Sequence, residues 1–366
     1  MAHAEVIAPG ATIGILGGGQ LGRMLAQAAA RLGYRCHIFA PEADQPAAQV
    51  SAAATRAAYA DAAALRAFAA AVSVVTYEFE NVPVETVRLL DPLVPVRPGA
   101  RSLEVAQDRL NEKSFANALG IGTAAFVAVD DADGLKAAIA RIAPPAILKT
   151  RRLGYDGKGQ AVIDDARDLD AAWTTIGKAP AILEARVDFE REISVVVARA
   201  ADGATACYVP VENRHQAGIL DMTTAPAPIS PALARDAEAL AARVAQALDH
   251  VGVLCIELFV TKGGALLMNE LAPRVHNSGH WTIDACGASQ FEQHIRAVCG
   301  LPLGGPERHS DAVMKNLIGD DAARWPALLA DPGAHVHLYG KAEARPGRKM
   351  GHVTWIKPRT GRQGQN

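Results

Sequence analysis

Runs of apolar residues broken by glycine and proline set out the elements of this chain. Thr12–Leu16 is a short apolar run that leads into Gly17-Gly18-Gly19-Gln20-Leu21-Gly22. Leu21, Met24, Leu25, Ala28 and Leu32 then recur at helical spacing, and Gly33 stops the helix. Tyr34–Ala40 reads as a second strand, Asp61–Val72 as a helix and Val74–Tyr77 as another buried strand. This order predicts the start of a parallel sheet. Pro92, Pro95 and Pro98 mark a linker at 91–100.

A second unit opens with a helix over Asp108–Leu119, stopped by Gly120. Ala146–Lys149 reads as a short strand. It runs into a glycine-rich, charged loop, Arg151-Arg152-Leu153-Gly154-Tyr155-Asp156-Gly157-Lys158-Gly159. Strands are expected at 160–163, 181–184, 192–199 and 206–211, and a long amphipathic helix at 231–250. Two more strands, 253–260 and 265–270, flank the hairpin signal Thr261-Lys262-Gly263-Gly264. The segment 301–366 mixes short strands with Gly/Pro turns and carries the basic stretch Arg345-Pro346-Gly347-Arg348-Lys349.

Composition narrows the class. The 366 residues are 50% hydrophobic, which argues against disorder and for more than one core. Lys plus Arg number 37 and Asp plus Glu 39, a net charge of −2, so no polycationic field points to nucleic acid. The five cysteines are scattered without a CxxC pair, as expected of buried thiols in a reducing cytoplasm. No apolar run is long enough to span a membrane.

The candidate chemistry lies in the loops. Gly17, Gly19 and Gly22 form GxGxxG at a helix N-terminus, with Glu42 about 20 residues on. A dinucleotide, another phosphate and a purely structural turn all fit that loop. The loop at 154–160 is no Walker A motif, but with Lys149 on the preceding strand it can cover nucleotide phosphates; an ordinary glycine turn is the alternative. Glu257 and Glu270 each interrupt an apolar strand, and a buried carboxylate is costly unless it is paired, neutralised or bound to a cation. With Lys262-Gly263 as a two-residue turn, Glu257 faces Met268 and Glu270 faces Cys255. Both carboxylates then share one face, as a Mg²⁺ site near Asn269 requires. An acid/base pair and salt-bridged structural acids remain open. Arg274, His276, Asn277 and His280 follow directly, a set suited to capturing an anion. The i, i+4 histidines lack a third ligand for zinc. Glu78 and Glu80 stand just past the C-terminal end of a strand, where α/β proteins bind ligands.

Taken in order, GGGQLGRM (17–24), TYEFENVP (76–83), GYDGKGQ (154–160), IELF (256–259), NELAPRVHNSGHWT (269–282) and RPGRKMGH (345–352) resemble the 5-(carboxyamino)imidazole ribonucleotide synthase family of ATP-grasp enzymes. The resemblance implies a mixed α/β and α+β fold. Its parts are a Rossmann-like pre-ATP-grasp domain over 1–106, an ATP-grasp domain over 107–300 with a lid at about 146–211, and a small C-terminal subdomain over 301–366. It implies ATP- and bicarbonate-dependent carboxylation of 5-aminoimidazole ribonucleotide, with Mg²⁺, by a cytoplasmic homodimer. ATP would meet Arg109, Lys149, Gly154, Tyr155, Asp156, Gly157, Lys158, Gly159, Gln160, Glu184, Val187, Glu192, His215 and Asn269, and Mg²⁺ would sit on Glu257 and Glu270. The ribonucleotide would meet Gln20, Leu21, Glu78, Tyr155, Asp156, Arg274, Lys341 and Arg348; Arg274, His276, Asn277 and Asp156 would serve catalysis, the first three around bicarbonate. The alternatives are a formate-dependent ATP-grasp ligase acting on glycinamide ribonucleotide and, from the first loop alone, an NAD-dependent dehydrogenase.

Overall fold

The computed structural model describes residues 6–154 and 157–360. Its first sheet contains β1 (Thr12–Leu16), β2 (Arg35–Ala40), β3 (Ala53–Arg56) and β4 (Val74–Tyr77), all parallel, in the order β3-β2-β1-β4. Strands β1 and β4 are buried along almost their whole length, as a sheet covered on both faces demands. Helix Gln20–Arg31 turns Leu21, Met24, Leu25 and Ala28 to the core, and Asp61 caps the helix Ala62–Ala70. The strand order reverses beside β1, so Gly17 and Glu78 come together at the C-terminal ends of β1 and β4.

The second sheet is antiparallel: β5 (Phe126–Val129), β6 (Ala146–Thr150), β7 (Gln160–Ile163) and β8 (Ala181–Ala185), in the order β5-β8-β6-β7. Its own core includes Leu135, Leu148, Trp173 and Leu183. The glycine-rich loop joins β6 to β7.

The third sheet has nine strands: β9 (Phe189–Arg199), β10 (Thr205–Cys207), β11 (Val211–Gln216), β12 (Ile219–Ala225), β13 (Gly252–Thr261), β14 (Leu266–Ala272), β15 (Ser310–Ile318), β16 (Ala334–Leu338) and β17 (Lys349–Pro358). The order is β14-β13-β9-β11-β12-β15-β17-β16, with β10 also on β9. The strand expected at 206–211 is in fact two, because Pro210 has no N–H for a ladder. The span expected for the lid, about 146–211, covers parts of two sheets. The strands after residue 301 extend the large sheet through the β12–β15 pair. No helix among the described residues is long and apolar enough to cross a membrane.

A single core runs from the first sheet into the large one, through Leu25, Val253, Phe291 and Ile295. Buried histidines pin that junction. Val253 N–H donates to His294 Nδ1 at 3.1 Å, so Nε2 carries the proton and faces Thr76 Oγ1 at 2.7 Å. His250 likewise joins Val253 O at 3.0 Å and Ser102 Oγ at 3.0 Å. Burial pushes His250 down to about 4 and His294 down to about 3. Both pKa values lie below the unfolded value of about 6.5, so the unfolded chain binds more protons between those limits. Their contribution to stability is complete above pH about 6.5 and falls as the pH drops towards 4 and 3. Urea unfolding is therefore expected to show a lower midpoint near pH 5 than near pH 7, with the difference reduced in His294→Asn.

Candidate active site

The hairpin of β13 and β14 builds the centre of the site, though not through the expected turn. Three residues, Lys262–Gly264, make the bend: Thr261 N–H donates to Ala265 O at 3.0 Å and Gly264 N–H to Thr261 O at 2.8 Å. Gly264 has φ 78°, a conformation that glycine adopts freely. Leu258 therefore faces Met268, not Glu257 as the shorter turn would have it. Continued unbroken, this register would set Glu270 opposite Ile256, on the core side. The register shifts after Glu257, leaving Asn269 as one extra residue, and Glu257 comes directly opposite Glu270. The two carboxylates share one face because a bulge restores what the longer turn would have undone.

Burial and then the Glu270 charge push Glu257 up to about 7. Asn269 Oδ1 is buried beside the pair without a hydrogen-bond partner among the described residues. Two facing carboxylates and an orphaned amide oxygen are hard donors short of a cation, and they suit Mg²⁺. Arg109 reaches Glu270 at 3.3 Å and Gly154 O at 3.5 Å. Lys149, on β6, pairs with Glu184, on β8, at 2.8 Å.

Two residues of the site escaped the sequence reading. Lys113 is buried, lies 3.2 Å from Glu184 and donates to Asn269 O at 3.3 Å. Lys149, Lys113 and Arg109 overcome the burial of Glu184 and hold its carboxyl below the usual range. Glu112 accepts from Leu271 N–H, and burial and Glu270 push it up to about 8. The available signal was helical spacing, since Glu112 and Lys113 fall three and four residues after Arg109, on its face.

His276 Nε2 stands 3.2 Å from Glu257. His215 bonds Glu192, and both lie within electrostatic reach of Glu257. Asn277 exchanges reciprocal amide bonds with Asn316 at 3.0 and 2.7 Å. Val187 lies in the connection from β8 to β9, between two sheets. Gly157, Gly159 and Gln160 close the β6–β7 loop with Lys158; Tyr155 and Asp156 lie outside the described residues. Arg151 makes a bidentate pair with Asp108, with 2.7 Å the shortest contact, and fastens the base of this loop to the helix Arg109–Ala118.

On the other side stands the crevice of the first sheet. Glu78 accepts from the N–H groups of Gly19 and, at 2.6 Å, Gly22. A Cβ on Gly17 would meet Glu78 Cγ at 2.4 Å, and one on Gly19 would meet Glu78 Oε1 at 2.8 Å. The glycines make room for a carboxylate of the chain itself. It already occupies the N–H groups that a dinucleotide pyrophosphate would need, which removes the dehydrogenase reading. Glu80 instead pairs with Arg274, which holds it below the usual range despite burial. Gln20 opens the adjoining helix, while the side chain of Leu21 is committed to the core. Lys341, Arg348 and Lys349 arrive from the C-terminal strands. Arg348 pairs with Asp44 at 2.9 Å, and burial, then Arg348, lowers Lys341 to about 8, with Glu78 opposing. Arg274 also feels Glu270, and Lys349 also acts on Glu257 and His276, so the two halves form one electrostatic unit.

Family models match along the chain. An ATP-grasp domain matches residues 114–291, a ribonucleotide synthetase preATP-grasp domain matches 10–107, and a phosphoribosylaminoimidazole carboxylase C-terminal domain matches 312–363. The N5-carboxyaminoimidazole ribonucleotide synthase of Brucella melitensis is 56% identical, over 96% of this chain and 98% of that protein. A crystal structure of the ADP complex of purK, an N5-carboxyaminoimidazole ribonucleotide synthetase, superposes with TM-score 0.94 at 42% identity, covering 97% of this chain and 94% of the other. The Aspergillus clavatus synthase in complex with ADP and 5-aminoimidazole ribonucleotide gives TM-score 0.89 at 30% identity, over 95% and 94%.

Glu270→Gln keeps the shape and removes one of two repelling charges. It is expected to lower ATP turnover by about a hundredfold or more while the melting temperature holds or rises. Near-normal ADP release from that variant would take Glu270 out of the metal site.

Proposed function

This chain belongs to the N5-carboxyaminoimidazole ribonucleotide synthase family of ATP-grasp enzymes, and from that premise we propose how its residues divide the work. The reaction converts ATP, bicarbonate and 5-aminoimidazole ribonucleotide into ADP, phosphate and 5-(carboxyamino)imidazole ribonucleotide, in purine biosynthesis. The observation that carries the assignment of roles is the Glu257–Glu270 pair, with Lys113, Lys149 and Arg109 gathered on one side and Arg274 and His276 on the other.

Glu257 and Glu270, with Asn269 beside them, would hold Mg²⁺, which neutralises charge on the phosphoryl group in transfer. Lys149, Lys113 and Arg109 bind the ATP phosphates. Glu184 aims both lysines, since its carboxylate touches both. Bicarbonate is a poor electrophile. Phosphorylation makes it carboxyphosphate, a mixed anhydride that delivers its carbon to a waiting amine. The task of the chain is therefore to position reactants and exclude water. Arg274, held by Glu80, presents a guanidinium edge to the bicarbonate oxyanion, with His276 and Asn277 beside it. Lys341 and Arg348 clamp the ribonucleotide phosphate, and Gln20, the main chain of Leu21 and Glu78 line the imidazole side. The loop 151–160, anchored by Arg151 on Asp108, closes over the nucleotide; Asp156 within it orients the imidazole. Asp44, which pairs with Arg348 at 2.9 Å, would compete with the phosphate for that guanidinium.

A homodimer and a cytoplasmic setting belong to the same proposal, supported by the family resemblance. Sedimentation at micromolar concentration is expected to give twice the chain mass. The reaction itself is tested by phosphate release with each small substrate omitted in turn. Release is expected to need bicarbonate and aminoimidazole ribonucleotide together for full rate. Formate with glycinamide ribonucleotide is expected not to replace them, and release with that pair would favour the formate-dependent reading.

A further inference from the structure

Behind His276 the large sheet contains a line of buried polar groups that none of the roles above uses. Thr223 Oγ1 donates to Asn213 Oδ1 at 3.0 Å, and Asn213 Nδ2 donates to Ser194 Oγ at 2.9 Å. The Ser194 and Ser278 hydroxyls stand 2.7 Å apart, and Ser278 Oγ lies 2.8 Å from His276 Nδ1. At the far end His276 Nε2 reaches Glu257 at 3.2 Å. Thr223, Ser194 and Ser278 are fully buried, and Asn213 is 4% exposed. Strands β12, β11 and β9 and the loop after β14 each contribute one member. Apolar side chains would fill the same space at lower cost, since each buried polar group must be satisfied.

The line has only one consistent direction. The Ser278 backbone N–H points at His276 Nδ1 at 3.3 Å, and a backbone N–H only donates, so Nδ1 accepts. Ser278 Oγ–H then also donates to Nδ1, Ser278 accepts from Ser194, and Ser194 accepts from the Asn213 amide. The ring proton is left on Nε2, directed at the Glu257 side of the site. Gln290 holds the His276 main chain from both sides: its Oε1 accepts from His276 N–H at 2.9 Å and its Nε2 donates to His276 O at 2.7 Å. With the main chain clamped, the flip and tautomer of the ring are the freedoms that remain.

We propose that Thr223, Asn213, Ser194 and Ser278 are positioning residues that hold His276 in its Nε2–H tautomer, as a fixed hydrogen-bond donor and not as a proton acceptor. The consequence for catalysis rests on the placement of His276 at bicarbonate given above. An oxyanion in that position gains from a donor and is repelled by a lone pair, so the wrong tautomer is an inactive one.

The test uses the full-length chain with ¹⁵N-labelled histidine. His276→Asn assigns the ring signals in a long-range ¹H–¹⁵N spectrum. The parent chain is expected to show His276 protonated at Nε2 near neutral pH. Ser194→Ala leaves the Ser278 hydroxyl undirected and Ser278→Ala removes it, so both keep only the longer backbone N–H contact of 3.3 Å to hold Nδ1 as an acceptor. Each is expected to admit a mixture of tautomers. In both, kcat/KM for bicarbonate falls about tenfold or more while KM for ATP is little changed. Ser194→Thr, which keeps the hydroxyl, restores both readouts. A proton on Nδ1 in the parent chain, an unchanged tautomer in both alanine variants, or an equal loss for all three substrates overturns the proposal. Full activity of His276→Asn with Nε2–H in the parent chain would instead remove His276 from bicarbonate and leave the tautomer lock standing.

Discussion

Two carboxylates forced to face each other across a hairpin repel, and the rest of the site is arranged around that repulsion. Glu257 is largely withdrawn from water, where a like charge acts strongly on it, while the Glu270 side chain opposite remains 39% exposed. Arg109 acts on the pair from the side where Lys113 and Lys149 share Glu184, and Arg274 and Lys349 act on it from the other. The surrounding acids keep these cations in place: Glu184 takes two lysines, and Glu80 takes Arg274. The site is thus close to balanced overall and short of positive charge at one point, between the facing glutamates.

The same economy explains the first domain. Its β-loop-α unit has the glycine spacing and helix N-terminus of a phosphate-binding fold. Those N–H groups are spent on Glu78, which fills the cradle from β4. A fold that elsewhere accepts a ligand anion here binds its own carboxylate. The result is a rigid wall carrying Gln20 and Glu78 that faces the basic residues of the C-terminal strands.

Those strands are not an appendage. β15, β17 and β16 continue the large sheet from β12, so Lys349 at the start of β17, and the β16–β17 connection that carries Lys341 and Arg348, hang on the same sheet that positions Glu257. His337 donates to Asp284 at 2.9 Å and stacks on His352 with ring centroids 4.5 Å apart, which steadies that end of the ladder. The basic groups of the β16–β17 connection and the facing glutamates can therefore hold a fixed distance across the large sheet.

Much of this was legible along the chain, because it depends on local chemistry. The helix over Gln20–Arg31, the strands around the Gly-rich loops and the caps at Asp61 and Asp108 follow from periodicity and capping side chains. Motif order alone carried the family. Other features depend on contacts distant in sequence. The shared face of Glu257 and Glu270 rests on a bulge at Asn269 that no periodicity announces, since one extra residue inverts every position beyond it. Which of Glu78 and Glu80 pairs with a guanidinium depends on where Arg274, 194 residues on, is brought. Lys113 reads as a solvated helix lysine until β8 brings Glu184 against it. Residue types and short spacings determined which chemistry this chain carries; the register of its sheets decided which of those groups meet, because a side chain's partner is set by strands that neither neighbour it in sequence nor share its period.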